Sequence, residues 1–311
     1  MRVTVVGAGF YGSTLAQRIA QADYATDVVL TDVIEGRPQG LALDLMQSRP
    51  IEGFETRVVG TNGYDETAGS DVCVITAGVP RKPGMSRLDL LDVNARIVRG
   101  VTRALVDRSP DTVIIVVTNP LDEMTALAAS ESGLPPARVM GQAGMLDSAR
   151  FSHFLAERLG VSPSQVEAFT LGSHGESMVP IPSLARVAGE RLRDVLEPQA
   201  VAEVVERTRD GGAEIVSLLR SGSAYFAPSS AAEAMVRAVA KDTGEVMPVS
   251  AWVDGPYGIE GGVWLGVPAR IGRTGVQEVV ELSLAEPEMV ALLAAAESVR
   301  ARQAEVAGLG A

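Results

Sequence analysis

Short runs of β-branched residues alternate with longer amphipathic stretches through the first half of the chain. The runs lie at residues 3–6, 28–31, 58–60, 72–76 and 113–117. Each is almost continuously apolar, as expected of strands covered on both faces of a parallel sheet. Between them the spacing predicts helices over residues 11–22, 38–47, 88–108 and 121–132. This alternation predicts an α/β fold with a doubly wound parallel sheet, in which ligands bind beyond the carboxyl ends of the strands. The loops after Val6, Thr31, Thr76 and Val117 should then share one face.

The pattern changes near residue 144. Residues 146–159 read as an amphipathic helix with Asp147 in its first turn, and a strand-like run at 166–171 leads into Gly172-Ser-His-Gly-Glu-Ser177. Helices are predicted over 199–219 and 229–241, strands over 246–253, 262–267 and 279–284, and a last helix over 286–305. The expected organisation is a Rossmann-type domain over residues 1–145 and an α+β catalytic domain over residues 146–311, packed together with a cleft between them. No internal repeat, low-complexity tract or long linker interrupts the chain.

Composition narrows the function. The chain has 311 residues, 46% hydrophobic and 21% charged, which is ordinary for a soluble protein able to bury a large core. Its net charge of -12 argues against a nucleic-acid partner, which needs a basic face. No apolar run approaches the roughly 20 residues of a membrane span. The N-terminal apolar stretch breaks at the glycines from Gly7 on, as a strand and turn do rather than a signal peptide, so a cytoplasmic location is expected. The single cysteine, Cys73, reads as a buried thiol in a reducing compartment.

Gly7-Ala8-Gly9-Phe10-Tyr11-Gly12 is a G-x-G-x-x-G placed after a strand and opening a helix. Gly7 permits the tight turn, Gly9 lets a pyrophosphate approach the backbone, and Gly12 allows close helix–strand packing. Asp32 ends the second strand, 20 positions after Gly12 (32 − 12), where a carboxylate accepts ribose hydroxyls and repels a 2′-phosphate. The combination favours NAD over NADP, although the fingerprint alone also admits FAD, or a glycine-rich turn followed by an unrelated acid.

A second local signal is the loop Ala77-Gly-Val-Pro-Arg-Lys-Pro-Gly-Met-Ser-Arg87, which sets Arg81, Lys82 and Arg87 on an acidic protein. Guanidinium groups grip carboxylates in a bidentate fork, so the loop is either a site for small anions or solvated charge. Of the two histidines, His153 lies inside a helix with nothing reactive adjacent and reads as a surface or packing residue. His174 lies in a glycine-flanked loop after a strand, a position suited to acid–base work. Asp147 and Arg150 share one helix face at a spacing of three, either as a local ion pair or with separate partners. Asn119, in Thr118-Asn-Pro120, is either a turn residue or an amide donor at the ligand edge.

Together these segments resemble the NAD-dependent lactate/malate dehydrogenase superfamily. The resemblance is carried by Val5-Val-Gly-Ala-Gly9, Ile75-Thr-Ala-Gly78, Pro80-Arg-Lys-Pro-Gly-Met-Ser-Arg87, Val117-Thr-Asn-Pro120, Leu146-Asp-Ser-Ala-Arg150 and His174-Gly, in family order and spacing. Within it the chain is most similar to the lactate-dehydrogenase-like malate dehydrogenases of bacteria. The resemblance implies NAD as cofactor, with no metal, and a small dicarboxylate, malate or oxaloacetate, as substrate. It implies His174 as acid/base, Asp147 as partner of its imidazolium, and Arg150 on the carboxylate beside the reacting carbon. Arg87 would polarise the carbonyl, Arg81 would bind the far carboxylate and Asn119 would touch substrate. Gly7, Ala8, Gly9, Phe10, Tyr11, Gly12, Asp32, Asn94, Val117, Thr118 and Asn119 would hold the cofactor. The family also implies a homodimer or homotetramer.

Phe10-Tyr11 departs from the family, which often has a smaller or polar residue there. Ser173 and Glu176 stand where Gly or Glu, and Asp, are more usual. A lactate dehydrogenase is the neighbouring reading, against which Arg81 speaks, since a methyl-bearing substrate would leave its charge unpaired. A non-catalytic NAD-binding sensor is the reading from another class, and it leaves the His, Asp, Arg and Asn set unexplained.

Overall fold

A computed structural model describes residues 1–80, 87–175 and 177–307, and of Arg87 only the main chain. The expectations for Arg81, Lys82, the Arg87 side chain and Glu176 therefore lie outside the described residues.

In the first half, β1 (Arg2–Val6), α1 (Phe10–Gln21), β2 (Asp27–Thr31), α2 (Arg37–Glu52), β3 (Arg57–Thr61), β4 (Val72–Ile75), α3 (Arg87–Arg108), β5 (Val113–Val116), α4 (Leu121–Ser132) and β6 (Val139–Gly141) follow one another. These six strands are parallel, in the order β3-β2-β1-β4-β5-β6. The apolar runs are strands because helices cover both faces: every residue of β4 and β5 is buried. Each buried valine or isoleucine contributes about 1.5–3 kcal/mol. Helix α2 runs past the predicted stop, through Pro50 to Glu52. Pro50 has no N–H to donate, so one bond of the last turn is missing.

The second half contains α5 (Gly144–Leu159), β7 (Val166–Glu167), β8 (Thr170–Gly172), β9 (Met178–Pro180), β10 (Arg186–Val187), β11 (Glu190–Arg191), α6 (Leu192–Val195), α7 (Pro198–Leu219), α8 (Phe226–Lys241), β12 (Glu245–Val253), β13 (Val263–Gly272), β14 (Gly275–Val279) and α9 (Glu286–Ala307). Strands β8, β9, β12, β13 and β14 extend the first sheet rather than building another. β6 pairs antiparallel with β12 at Gly141 and Ser250, and the sheet continues through β13, β8 and β9, with β14 on β13. The parallel sheet therefore grows into a mixed one of eleven strands among the described residues.

Three expectations need correction here. The predicted strand at 166–171 is two strands, β7 in a small antiparallel sheet with β10 and β11, and β8 in the main sheet. The run at 279–284 is apolar because Val279 and Leu284 pack on the core, but the strand β14 ends at Val279. Strand β13 extends through Pro268, which lies opposite Pro248; its carbonyl accepts the Val280 N–H at 2.8 Å on the other side, so this pair exchanges no ladder bond.

Helix α1 packs against α8, and α4 against α3, β13 and α9. Two polar contacts fasten the first pair: Arg18 Nε donates to Ser229 Oγ at 3.1 Å and Arg18 Nη2 to the Phe226 carbonyl at 3.3 Å. No helix among the described residues is long and apolar enough to cross a membrane.

Candidate active site

The turn after β1 is shaped by its glycines. Gly7 has φ +105°, a conformation L side chains rarely adopt, and donates its N–H to the Thr31 carbonyl at 2.8 Å. A Cβ on Gly12 would overlap the Gly7 carbonyl oxygen, so only glycine lets α1 start this close to β1. Gly9 differs: a Cβ there would meet nothing within 4 Å, which leaves open space before a helix N-terminus that no side chain caps. Exposed N–H groups and the positive helix end suit that space to a pyrophosphate.

Asp32 stands at the end of β2, half-buried. Its Oδ2 accepts the Ala8 N–H at 2.6 Å and its Oδ1 the Ile34 N–H at 2.9 Å. The carboxylate thus shapes the glycine turn itself, while each oxygen keeps a lone pair for a ribose hydroxyl. The Phe10-Tyr11 departure also has a structural consequence. Phe10 is 72% exposed and stacks on Tyr225 at 5.4 Å between centroids. Tyr11 donates its hydroxyl to the Pro228 carbonyl at 2.8 Å, and burial raises its pKa. Both residues of the turn reach the start of α8 in the other half.

The loops after β4 and β5 are held together by Asn94 of α3. Its side chain is buried. Oδ1 accepts the Val79 N–H at 2.8 Å, and Nδ2 donates to the carbonyls of Val79 at 3.2 Å and Asn119 at 2.7 Å. Thr118 Oγ1 donates to the Ala77 carbonyl at 2.7 Å. Val117 is half-buried, and Asn119 is exposed ahead of a cis bond to Pro120. Asn94 is therefore a clamp on these loops, with all three of its bonds to main chain.

Asp147, in the first turn of α5, is almost wholly buried and bridges two partners. Its Oδ2 meets His174 Nδ1 at 2.8 Å and its Oδ1 meets Arg150 Nη1 at 3.2 Å. The local ion pair is thus present, and Asp147 has His174 as a second partner. Burial acts to lower the pKa of His174, but the charge and hydrogen bond of Asp147, helped by Asp122 and opposed by Arg150, outweigh it and raise the pKa. With Nδ1 engaged, Nε2 is the nitrogen left to exchange a proton with a ligand. Arg150 packs beneath α7, where a Cβ on Gly211 would approach its Cδ to 3.3 Å. Its Nε is buried without a hydrogen-bond partner among the described residues. A half-buried guanidinium not fully used by its protein partner suits a carboxylate ligand.

His153 is exposed, its ring 5.5 Å from Phe154. Burial pushes the Cys73 thiol up to about 12, which leaves it inert. The described residues contain no cluster that could hold a metal. Sequence reasoning missed Asp122, which binds the His174 main chain and Ser250, and Glu123 and Arg302, which link to the Ser173 hydroxyl. Two acids in the first turn of α4 look like ordinary helix-dipole partners, so only their burial distinguishes them.

Residues 1–141 match the lactate/malate dehydrogenase, NAD binding domain, and residues 144–308 match the lactate/malate dehydrogenase, alpha/beta C-terminal domain. A malate dehydrogenase of Chloroherpeton thalassium is 52% identical over 300 residues, 96% of either chain. The structure of malate dehydrogenase from Salinibacter ruber superposes with a TM-score of 0.95 at 45% identity, covering 99% of this chain and 98% of that one. A lactate dehydrogenase from Cryptosporidium parvum, complexed with lactic acid and nicotinamide adenine dinucleotide, superposes with a TM-score of 0.94 at 38% identity, covering 99% and 98%. The two-part match, the glycine turn and the buried His–Asp–Arg set agree: the chain belongs to the lactate/malate dehydrogenase family.

Proposed function

We propose that the chain catalyses the reversible NAD-dependent oxidation of (S)-malate to oxaloacetate, with His174 as acid/base. The observation that carries this is Asp147, which holds the imidazole through Nδ1 and the Arg150 guanidinium through its other oxygen. Relatives around 50% identical being malate dehydrogenases supports malate over lactate. The fold by itself is common to both kinds of enzyme.

The open space at Gly9 and the carboxylate of Asp32 fit a dinucleotide. Gly7, Ala8, Gly9, Phe10, Tyr11 and Gly12 would hold its pyrophosphate, Asp32 its ribose, and the loops clamped by Asn94, including Val117, Thr118 and Asn119, its nicotinamide end. When bound, the nicotinamide supplies or accepts the hydride. The chain's own residues supply charge and geometry. Arg150 fixes the carboxylate next to the reacting carbon through guanidinium donors beyond the one that Asp147 takes. As negative charge builds on the carbonyl oxygen of oxaloacetate, protonated His174 delivers a proton from Nε2, and Asp147 stabilises the imidazolium before that transfer. Malate oxidation runs the same step backwards, with neutral His174 accepting the hydroxyl proton.

Arg87 is proposed to polarise the carbonyl and Arg81 to bind the far carboxylate; Asn119 contributes its amide. The functional division into residues 1–145 for cofactor and 146–311 for catalysis belongs to the same proposal. So do a homodimer or homotetramer and a cytoplasmic location, which rest on the family alone.

The test is NADH oxidation measured in parallel with oxaloacetate, pyruvate and 2-oxoglutarate. Leaving a guanidinium facing a methyl group forfeits a charge-assisted bond and strands a charge, so oxaloacetate should be preferred over pyruvate by about a thousandfold in kcat/KM. Preference for pyruvate would make the chain a lactate dehydrogenase, and NADH binding without turnover would make it a sensor. In Arg81→Gln the oxaloacetate-to-pyruvate ratio should fall at least about tenfold. An unchanged ratio would place the selectivity elsewhere.

A further inference from the structure

Asp122 is the second residue of α4 and is buried. Its Oδ2 accepts the main-chain N–H of His174 at 3.0 Å, and its Oδ1 accepts the hydroxyl of Ser250, a buried residue of β12, at 3.0 Å. Next to it, Glu123 accepts Arg302 Nε of α9 at 3.0 Å, and Arg302 Nη2 reaches on to Ser173 Oγ at 3.0 Å. Gln303, the following residue of α9, donates to the Asp122 carbonyl at 3.1 Å. Residues 173 and 174 are thus both tied to the first turn of α4, directly after the Asn119-Pro120 segment on the cofactor side.

The loop needs such a tie. It runs between Gly172 and Gly175, and glycines leave a main chain with little restraint of its own. The bond from Nδ1 to Asp147 fixes one point of the imidazole but not the position of the main chain that carries it. A second, backbone anchor removes that freedom, so that Nε2 points one way.

We propose that Asp122 is a positioning residue for the acid/base: it fixes the His174 main chain from the cofactor half, while Glu123 and Arg302 brace Ser173 beside it. The hydroxyl of Ser173, one of the departures from the family pattern, has its use here as the acceptor for Arg302. A carboxylate also does more than a neutral acceptor, because its charge adds to that of Asp147 near the imidazole and opposes Arg150. Burial, with the neighbouring charge of Glu123, pushes the Asp122 carboxyl up to about 6, against the pull of His174 and Ser250.

The inference rests on His174 as acid/base, so His174→Asn is measured alongside. The full-length enzyme carries Asp122→Asn, Asp122→Ala or Ser173→Ala, and kcat, the KM for oxaloacetate, the NADH dissociation constant and the pH midpoint of oxaloacetate reduction are read for each. In Asp122→Ala the His174 N–H loses its acceptor, and kcat should fall about thirtyfold or more with NADH binding unchanged, since small misplacements of a catalytic group are costly. Asp122→Asn keeps an acceptor, so it should recover most of that loss while the pH midpoint moves down by about half a unit for the lost charge. Ser173→Ala should lower kcat about threefold.

Wild-type kcat and pH midpoint in the Asp122 variants would overturn the inference, as would a loss of kcat matched by an equal loss of NADH binding. If Asp122→Ala does not fold, an unmoved pH midpoint in Asp122→Asn is the overturning result. Turnover surviving in His174→Asn would overturn the acid/base reading itself. Wild-type Asp122 variants in an enzyme that needs His174 would overturn this inference alone.

Discussion

His174→Asn is expected to lower oxaloacetate reduction by about a thousandfold or more, because a positioned acid/base contributes about 10²–10⁴ and asparagine has no proton to exchange near neutral pH. The substitution is close in size, and a side-chain amide can still donate to Asp147 Oδ2, where the Nδ1 contact now measures 2.8 Å. The fold around α5 and β8 should persist. NADH should bind as before, since the glycine turn and Asp32 lie at the ends of β1 and β2 in the other half. The measurement is a pair: steady-state turnover and a fluorescence titration with NADH. Loss of both together would mean a damaged fold, and turnover close to wild type would remove His174 from the mechanism.

Asp147→Asn should have the second-largest effect, and a more informative one. Asp147 accepts from His174 on one oxygen and from Arg150 on the other. An amide has only one oxygen, so its NH₂ must face one of two donors. Either the imidazole or the guanidinium loses its place, and kcat/KM for oxaloacetate should drop at least about a hundredfold at neutral pH. The pH dependence should change in a definite direction. Although burial works against protonation of His174, the charge and hydrogen bond of Asp147 raise its pKa. Oxaloacetate reduction requires the imidazolium and falls as pH rises through that pKa; malate oxidation requires the neutral ring and rises through it. In Asp147→Asn both transitions should move to lower pH.

Stability follows the same sign. A histidine whose pKa is raised on folding contributes stability that is full below its unfolded pKa, about 6.5, and is lost as pH rises through the folded value. Removing the carboxylate should therefore cost most in Tm on the acid side of neutrality. Thermal melts of both proteins across pH 5–9 would show it, and parallel curves would mean that the pairing adds nothing to the fold.

The first half of the chain was legible because its strands are short, β-branched and buried on both faces, so periodicity and turn chemistry agree at β1, β2, β4 and β5. β6 escaped notice because it is only Val139–Gly141, too short for a pattern. The second half was harder for a different reason. Residues 166–171 read as one strand-like run, yet β7 and β8 part into different sheets, a tertiary fact that no local pattern carries. The site behaved similarly. His174, Asp147 and Arg150 have distinctive chemistry, and the structure brings them together. Asp122 and Glu123 have none in sequence; their role comes from burial against residues about 52 to 179 positions away. Asp32 was legible as a carboxylate at the end of β2, whereas its bond to Ala8 depends on the turn's geometry.

The seam between α1 and α8 bears on how such proteins can recombine. Tyr11, inside the glycine fingerprint, needs the Pro228 carbonyl, and Arg18 needs Ser229 and the Phe226 carbonyl. A chimera joined near residue 145 would inherit its cofactor turn from one parent and the surface that holds it from the other. The two halves are separable as matched sequence regions, but the fragments that can be exchanged between relatives must carry α1 and the start of α8 together.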